Sequence, residues 1–377
     1  MKITRLETFL VPPRLLFLRV ETDDGVVGWG EPIVEGRAHT VRAAVEELAD
    51  YLVGQDPLRV EDHWQVLTRG GFYRGGAILA SAVAGIDQAL WDIAGKVRGA
   101  PVHEVLGGPL RDRVRVYAGV RGDRPQVMAE MARLAVANGY TAVKLGSVQL
   151  PPLGPPSDVY GVVAGFAAVR EAVGDGCDIA IDLHGRPTVP LARLLVRELE
   201  PFRPLFVEEP LRPELSDQIG RIVEVSPVPI STGERLYHRT EFRPVLEAGV
   251  AVVQPDVSHA GGITETRRIA AVAEMYDALV APHSPLGPIA LAACLQVALS
   301  VPNFLIQEQT LGVHDLSWMD WLVDREVFRF ADGYLERLTG PGLGIDVDEA
   351  VVRELDREGH RFRSPVWRHA DGSVAEW

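Results

Sequence analysis

Cysteine is scarce in this chain. Two in 377 residues, Cys177 and Cys294, exclude a disulfide framework. Both lie in or beside apolar segments and read as buried thiols, compatible with the cytosol. Positive charge is in deficit as well: 38 Lys and Arg stand against 52 Asp and Glu, a net charge of −14. No concentrated basic run is present, which argues against a nucleic-acid partner. An acidic protein still binds an anionic substrate where a metal and local cations dominate the site. Long apolar runs are missing too. The longest, 286–301, is interrupted by Pro288, Gln296 and Ser300, so it reads as a buried helix and no membrane is expected. Near the start, Pro12, Pro13 and Arg14 break any apolar leader core, and a cytoplasmic location is expected. Neither GxxxxGK[ST] nor a Rossmann GxGxxG occurs, so both nucleotide signatures are absent.

What the chain does have is a rhythm of acids. Asp182, Glu208 and Glu234 stand 26 positions apart, each at or just past the end of a short apolar run. That spacing is one strand, one helix and two loops of a (β/α) barrel. Carboxylates at the C-terminal ends of three consecutive parallel strands point into one mouth, and an all-oxygen set suits a hard cation such as Mg²⁺. The rhythm continues with Asp256, His283 and Glu308, and Lys144 ends a further strand upstream. One acid at a strand end is more often a helix cap or a solvated charge; six polar groups in register are not explained that way.

The first 30 residues alternate as strands, and helical patterns follow over 40–52 and 81–97, the second with Ile86, Leu90, Ile93, Ala94 and Val97 on one face. Strands and then helices make an α+β capping domain, placed at 1–113. Regular βα alternation over 114–325 predicts eight strands, at 114–120, 141–144, 178–182, 205–208, 229–231, 251–254, 278–281 and 304–306. Residues 151–156 read as an extended loop, and 326–377 as a segment packing back on the cap.

These residues resemble the enolase superfamily along the whole length, and its mandelate racemase branch in particular. The strand-end acids carry the resemblance, together with Gly85-Ile86-Asp87-Gln88-Ala89-Leu90-Trp91-Asp92-Ile93 and Pro255-Asp256-Val257-Ser258-His259-Ala260-Gly261-Gly262-Ile263-Thr264-Glu265. The implied fold is α/β, a modified TIM barrel (β/α)₇β under an N-terminal cap. The implied Mg²⁺ ligands are Asp182, Glu208 and Glu234, with Asp256 and His283 as a catalytic pair and Glu308 as the acid on the last strand. Within the branch, 182–186, 71–76 and 281–290 are similar to the sugar-acid dehydratases, which implies an aldonic acid, D-galactonate above others, as substrate. A homo-oligomer is implied as well. One departure stands out: where mandelate racemase-like members carry Lys-x-Lys, this chain has Lys144-Leu145-Gly146.

The residues themselves favour histidine chemistry. Asp256 fixes the tautomer of His283 and raises the basicity of its far nitrogen, making His283 the expected base. His184, two residues past Asp182, would face the same way on an extended chain and is the expected acid toward a leaving 3-hydroxyl, or else a residue that orients a ligand. Glu308, if protonated, would hydrogen-bond the developing enediolate. Lys144 is a substrate-carboxylate contact or a satisfied barrel charge. Arg186, Tyr73 and Arg74 are candidate substrate contacts, the last two from the cap. Racemisation or epimerisation, dehydration of gluconate, mannonate or a 6-deoxy acid, and sugar-acid binding without turnover remain the alternatives.

Overall fold

The computed structural model describes residues 1–146, 155–311, 319–369 and 371–376. At the N-terminus β1 (Ile3–Val11), β2 (Leu15–Thr22) and β3 (Val27–Gly30) form an antiparallel meander. It is covered by α1 (Ala38–Leu52), α2 (Val60–Arg69) and α3 (Ala77–Arg98), with a short α4 (Val102–Val105) beyond them. α3 overruns the expected 81–97 at both ends and stops at Gly99, whose φ of 63° a glycine adopts without strain. By length and composition alone α3 is apolar enough to cross a membrane, but most of it is buried inside the protein. Ile86, Leu90, Ile93 and Ala94 are buried as their spacing predicts, while Val97 in the last turn is 41% exposed. β3 lies directly on this helix. A Cβ on Gly30 would stand 2.0 Å from the Gly85 carbonyl oxygen, so the two backbones touch where no side chain fits.

Next in order are β4 (Arg113–Arg115), β5 (Ala118–Val120), α5 (Pro125–Ala137), β6 (Ala142–Leu145) and α6 (Pro156–Val173). Then come β7 (Asp178–Asp182), α7 (Val189–Glu198), β8 (Val207–Glu208), α8 (Gly220–Val223) and β9 (Ile230–Thr232). After them follow α9 (Arg239–Glu247), β10 (Val252–Val253), α10 (Gly262–Glu274), β11 (Leu279–Val280) and α11 (Pro288–Ser300). The chain ends with β12 (Phe330–Ala331), β13 (Tyr334–Glu336) and α12 (Glu349–Glu358).

Seven of these strands, β5 to β11, form one parallel sheet in strict chain order, the arrangement right-handed βα crossovers produce. Its two edges meet at one segment: Phe304 bridges Val280 and Gln307 bridges Val116, both in parallel. The sheet is thus curled with 304–307 between its ends, where an eighth strand was expected. Inside it sit Tyr117, Ala142, Ala180, Phe206, Val252, Ala281 and Ile306 as a separate small core. The single strand expected over 114–120 is two. β4 leaves the curled sheet to pair with β13, and only β5 stays in it. Much of the loop expected at 151–156 lies outside the described residues; from Pro156 onward the chain is α6.

α12 lies against β1. Asp348 caps it through the N–H groups of Ala350 and Val351. Asp356 then accepts the Leu10 N–H at 2.6 Å, and Arg353 pairs with Glu7 at 2.6 Å.

Candidate active site

A cavity of about 690 Å³ opens at the C-terminal ends of the parallel strands, walled by Lys144, Asp182, His184, Glu234, His283 and Glu308 from the sheet and by Arg14 and Glu35 from the cap. Most of these side chains project from the point where the ladder stops. β8 has two paired residues and ends on Glu208, while Asp256 and His283 stand three residues past β10 and β11, which are equally short.

Lys144 lies at the centre of the charges. Its ammonium donates to both oxygens of Glu208, at 3.0 and 2.9 Å, stands 2.9 Å from Glu308, and lies 3.9 Å from Asp182. Burial works against its charge, but the carboxylates of Glu208 and Glu308 outweigh that and hold its pKa well above the ordinary value. Glu208 has no solvent exposure; burial, and the crowding of Asp182, Glu308 and Glu234, push its carboxyl well up against the pull of Lys144. Glu234 is raised in the same way, by burial first, with His283 opposing.

His184 meets Asp182 by a turn and not by extended register. His184 has φ 49°, its N–H donates to Asp182 Oδ1 at 3.0 Å, and its Nε2 lies 2.9 Å from Oδ2. Burial resists protonation of this ring, yet Asp182 raises its pKa; burial likewise resists ionisation of Asp182, which His184 and Lys144 nonetheless hold below the usual carboxylate range. His283 Nδ1 pairs with Asp256 Oδ2 at 2.8 Å, leaving Nε2 facing Glu234 at 3.5 Å and Glu308 at 3.9 Å. Burial disfavours its imidazolium, but Glu234, Glu308 and Asp256 raise its pKa well above the ordinary value.

Five carboxylates, Asp182, Glu208, Glu234, Asp256 and Glu308, therefore share three nitrogen bases, and among the described residues Glu234 Oε2 accepts no hydrogen bond. A site short of positive charge, with an oxygen lone pair unspent, fits a hard divalent cation. Among the described residues Asp182, His184 and Glu234 each present a ligand atom within 4.8 Å of the others. The expected triad has Glu208 in place of His184. In the structure Glu208 turns to Lys144, since a carboxylate without solvent must find a cation.

The remaining candidates fall elsewhere. Arg186 is buried outside the cavity, its guanidinium 5.5 Å over the Trp367 ring. Tyr73 is 89% exposed beside Phe72, and the Arg74 Nε–H donates to the Gly71 carbonyl, so neither lines the cavity. Arg235 and Tyr117 on the wall were not anticipated. Arg235 sits 3.8 Å from Glu234 and is anchored at 2.5 Å by Glu209. Glu209, with φ 45°, also accepts from Thr232 Oγ1 and the Gly233 N–H. Tyr117 is buried, with the Lys144 ammonium 5.3 Å from its ring centroid, and His259, also on the wall, joins Ser81 Oγ at 3.0 Å. For Arg235 a signal existed, a cation directly following a strand-end acid; for Tyr117 there was none.

Comparison with known proteins agrees with this architecture. Residues 10–107 match the family model described as "Mandelate racemase / muconate lactonizing enzyme, N-terminal domain", and 126–351 match "Enolase C-terminal domain-like". The chain is 54% identical to the D-galactonate dehydratase of Ralstonia nicotianae and 49% identical to that of Pectobacterium atrosepticum, with 100% of both chains covered in each case. Among solved structures, an enolase from Agrobacterium radiobacter, a candidate galactarate dehydratase with Na and L-malate bound, is 34% identical over 100% of both chains with a TM-score of 0.91. A mandelate racemase/muconate lactonizing enzyme from Jannaschia is 30% identical, covering 98% of this chain and 99% of that one, with a TM-score of 0.88. The chain belongs to the mandelate racemase/muconate lactonizing enzyme family and carries its enolase-like C-terminal domain.

Proposed function

We propose that this chain is a Mg²⁺-dependent hydro-lyase of aldonic acids that converts D-galactonate to 2-dehydro-3-deoxy-D-galactonate. The substrate rests on full-length relatives, 49 to 54% identical, that share the name D-galactonate dehydratase. One observation carries the reaction: two histidines border the same carboxylate cluster from different sides. His184 follows β7 and His283 follows β11, four strands along the curled sheet, and both stand within 3.5 Å of a carboxylate of that cluster.

The proton beside a carboxylate is very weakly acidic, and a bound Mg²⁺ supplies Lewis-acid stabilisation of the charge that builds up when it leaves. Asp182, Glu208 and Glu234 are the residues proposed to hold it. His283 Nε2 takes the C2 proton. Its Nδ1–H is committed to Asp256, which fixes the tautomer, and Glu234 and Glu308 strengthen it as a base. The electrons of the C2–H bond form the C2–C3 double bond as the C3–O bond breaks. His184, whose affinity for a proton Asp182 raises against the effect of burial, gives its proton to the departing hydroxyl, which leaves as water. The enol then becomes the 2-keto-3-deoxy acid. Lys144, on the cavity wall, is proposed to meet the substrate carboxylate. The same two histidines would also suit inversion at C2, which retains the mass of water. The proposed compartment is the cytoplasm, in keeping with two free buried thiols. Self-association is proposed alongside, since Phe72 and Tyr73 stand exposed as a pair.

The test is a panel of stereoisomeric aldonates with Mg²⁺, read as 2-keto acid by semicarbazide. D-Galactonate is expected to respond, EDTA to abolish the response, and added Mg²⁺ to restore it. His283→Asn should lose at least about 10²-fold in turnover, the low end for general acid–base catalysis, while still binding Mg²⁺. No keto acid from any aldonate would sink the reading, and an active His283→Asn would sink the base.

A further inference from the structure

Apart from Asp256, two sequence stretches play no part in the reaction so far, 85–93 on α3 and 255–265 after β10. They meet across the seam between cap and curled sheet. Gln88 is fully buried, and its Nε2 donates to Ser258 Oγ at 3.0 Å and to the Val257 carbonyl at 3.3 Å. Its Oε1 accepts the N–H of Glu31 at 2.9 Å. Glu31, just past β3, is equally buried, and its two carboxylate oxygens accept the N–H groups of Gly287 at 2.8 Å and Ala290 at 3.0 Å. The Ser258 N–H in turn donates to Asp256 Oδ1 at 2.6 Å, and the other oxygen of Asp256 receives His283 Nδ1–H.

Two cap residues, bonded to each other, therefore grip both loops that carry the pair. Gln88 holds the loop of Asp256, and Glu31 holds the loop of His283 where it enters α11. These loops follow strands of two residues each, so the sheet ladder alone constrains them weakly. The contact is also shaped for the carboxylate: a Cβ on Gly287 would stand 2.7 Å from Glu31 Oε1.

We propose that Glu31 and Gln88 are positioning residues, a cross-seam clamp by which the cap sets the spacing between Asp256 and His283. The word positioning rests on the proposed reaction; the spacing itself does not. The rival account is plain docking, since α3 makes other seam bonds. Asp87 accepts from Thr264, and Trp91 Nε1–H donates to Thr264 Oγ1 at 2.8 Å, both farther along the chain from the pair.

Three variants separate the accounts: Gln88→Met, which removes the three clamp bonds that Gln88 makes; Glu31→Gln, which leaves one acceptor oxygen; and Trp91→Phe, which removes a seam bond outside the clamp. Each is read for kcat and KM on the aldonate the parent protein dehydrates, for thermal melting, and by crystallography for the Asp256–His283 distance. Gln88→Met is expected to lengthen that distance and to lower kcat by about tenfold or more with KM little changed, since misplacement by 1 Å costs up to about 10²-fold. Trp91→Phe is expected to leave kcat within about twofold, the clamp being intact. A distance still at 2.8 Å in Gln88→Met, or equal losses of kcat in Gln88→Met and Trp91→Phe, overturns the proposal. Should Gln88→Met fail to fold, Glu31→Gln carries the same readouts. Should the parent protein dehydrate no aldonate, the functional reading falls while the crystallographic distance still decides the clamp.

Discussion

Glu208 exposes nothing to solvent, and both its oxygens are within 3.0 Å of one ammonium. His184 meanwhile occupies a ligand-like place beside Asp182 and Glu234. Two assignments of the third metal ligand compete at this point, and the donor atom decides between them. A carboxylate oxygen is the usual donor to a hard cation, which imidazole nitrogen is not. Titration of the metal-stripped protein with Mg²⁺ should therefore find Glu208→Gln weaker by roughly 10- to 100-fold or more, a scale that even outer partners of a metal reach. His184→Asn should bind Mg²⁺ nearly as well as the parent, and the reverse order would give His184 the ligand's place. Spacing alone put Asp182, Glu208 and Glu234 at one mouth, because strand ends in a parallel sheet face the same way. It was blind to the Lys144–Glu208 pair, which runs between strands, and to Glu209 under Arg235, which turns on a left-handed residue that no period reveals.

At the scale of elements, α3 fastens the cap. Its apolar face was legible from a 3.6-residue period, and Ile93 is completely buried in the cap core. Ile93→Ala should cost about 2–5 kcal/mol, the range for truncating a buried aliphatic side chain. The check is a urea transition: its midpoint should fall with the slope unaltered. The split of 114–120 into β4 and β5 was not legible. β4 pairs with β13, some 220 residues later, and a strand's partner is settled by tertiary packing rather than by its own alternation. The short β8, β10 and β11 were likewise overestimated: β8 begins two residues later than expected and still ends on Glu208, while β10 and β11 each lose one residue at either end.

For the whole molecule, acids buried at the seam link stability to pH. Burial pushes Glu31 up to about 8 and Asp87 up to about 7. Each binds its proton more tightly folded than unfolded, so its contribution is complete below the unfolded value near 4.5 or 3.8 and is lost as pH rises through the folded one. Glu31→Gln cannot titrate there. The stability of the parent protein relative to this variant should fall by about 1.4 kcal/mol per pH unit between about pH 5 and 8. Equilibrium denaturation across that range checks it, and a flat difference would mean that Glu31 is ionised in the folded state.

The Glu31–Gly287 bond spans 256 residues, and the Leu10–Asp356 bond spans 346. In terms of synthesis, the cap leaves the ribosome well before the residues that complete its contacts are made. Until then it carries a buried-type carboxylate without donors and an unfinished sheet edge. Contacts this distant slow folding and prolong exposure of apolar surface. The segment 1–113 expressed alone should accordingly fail to give a cooperative melt, whereas the full chain should melt cooperatively.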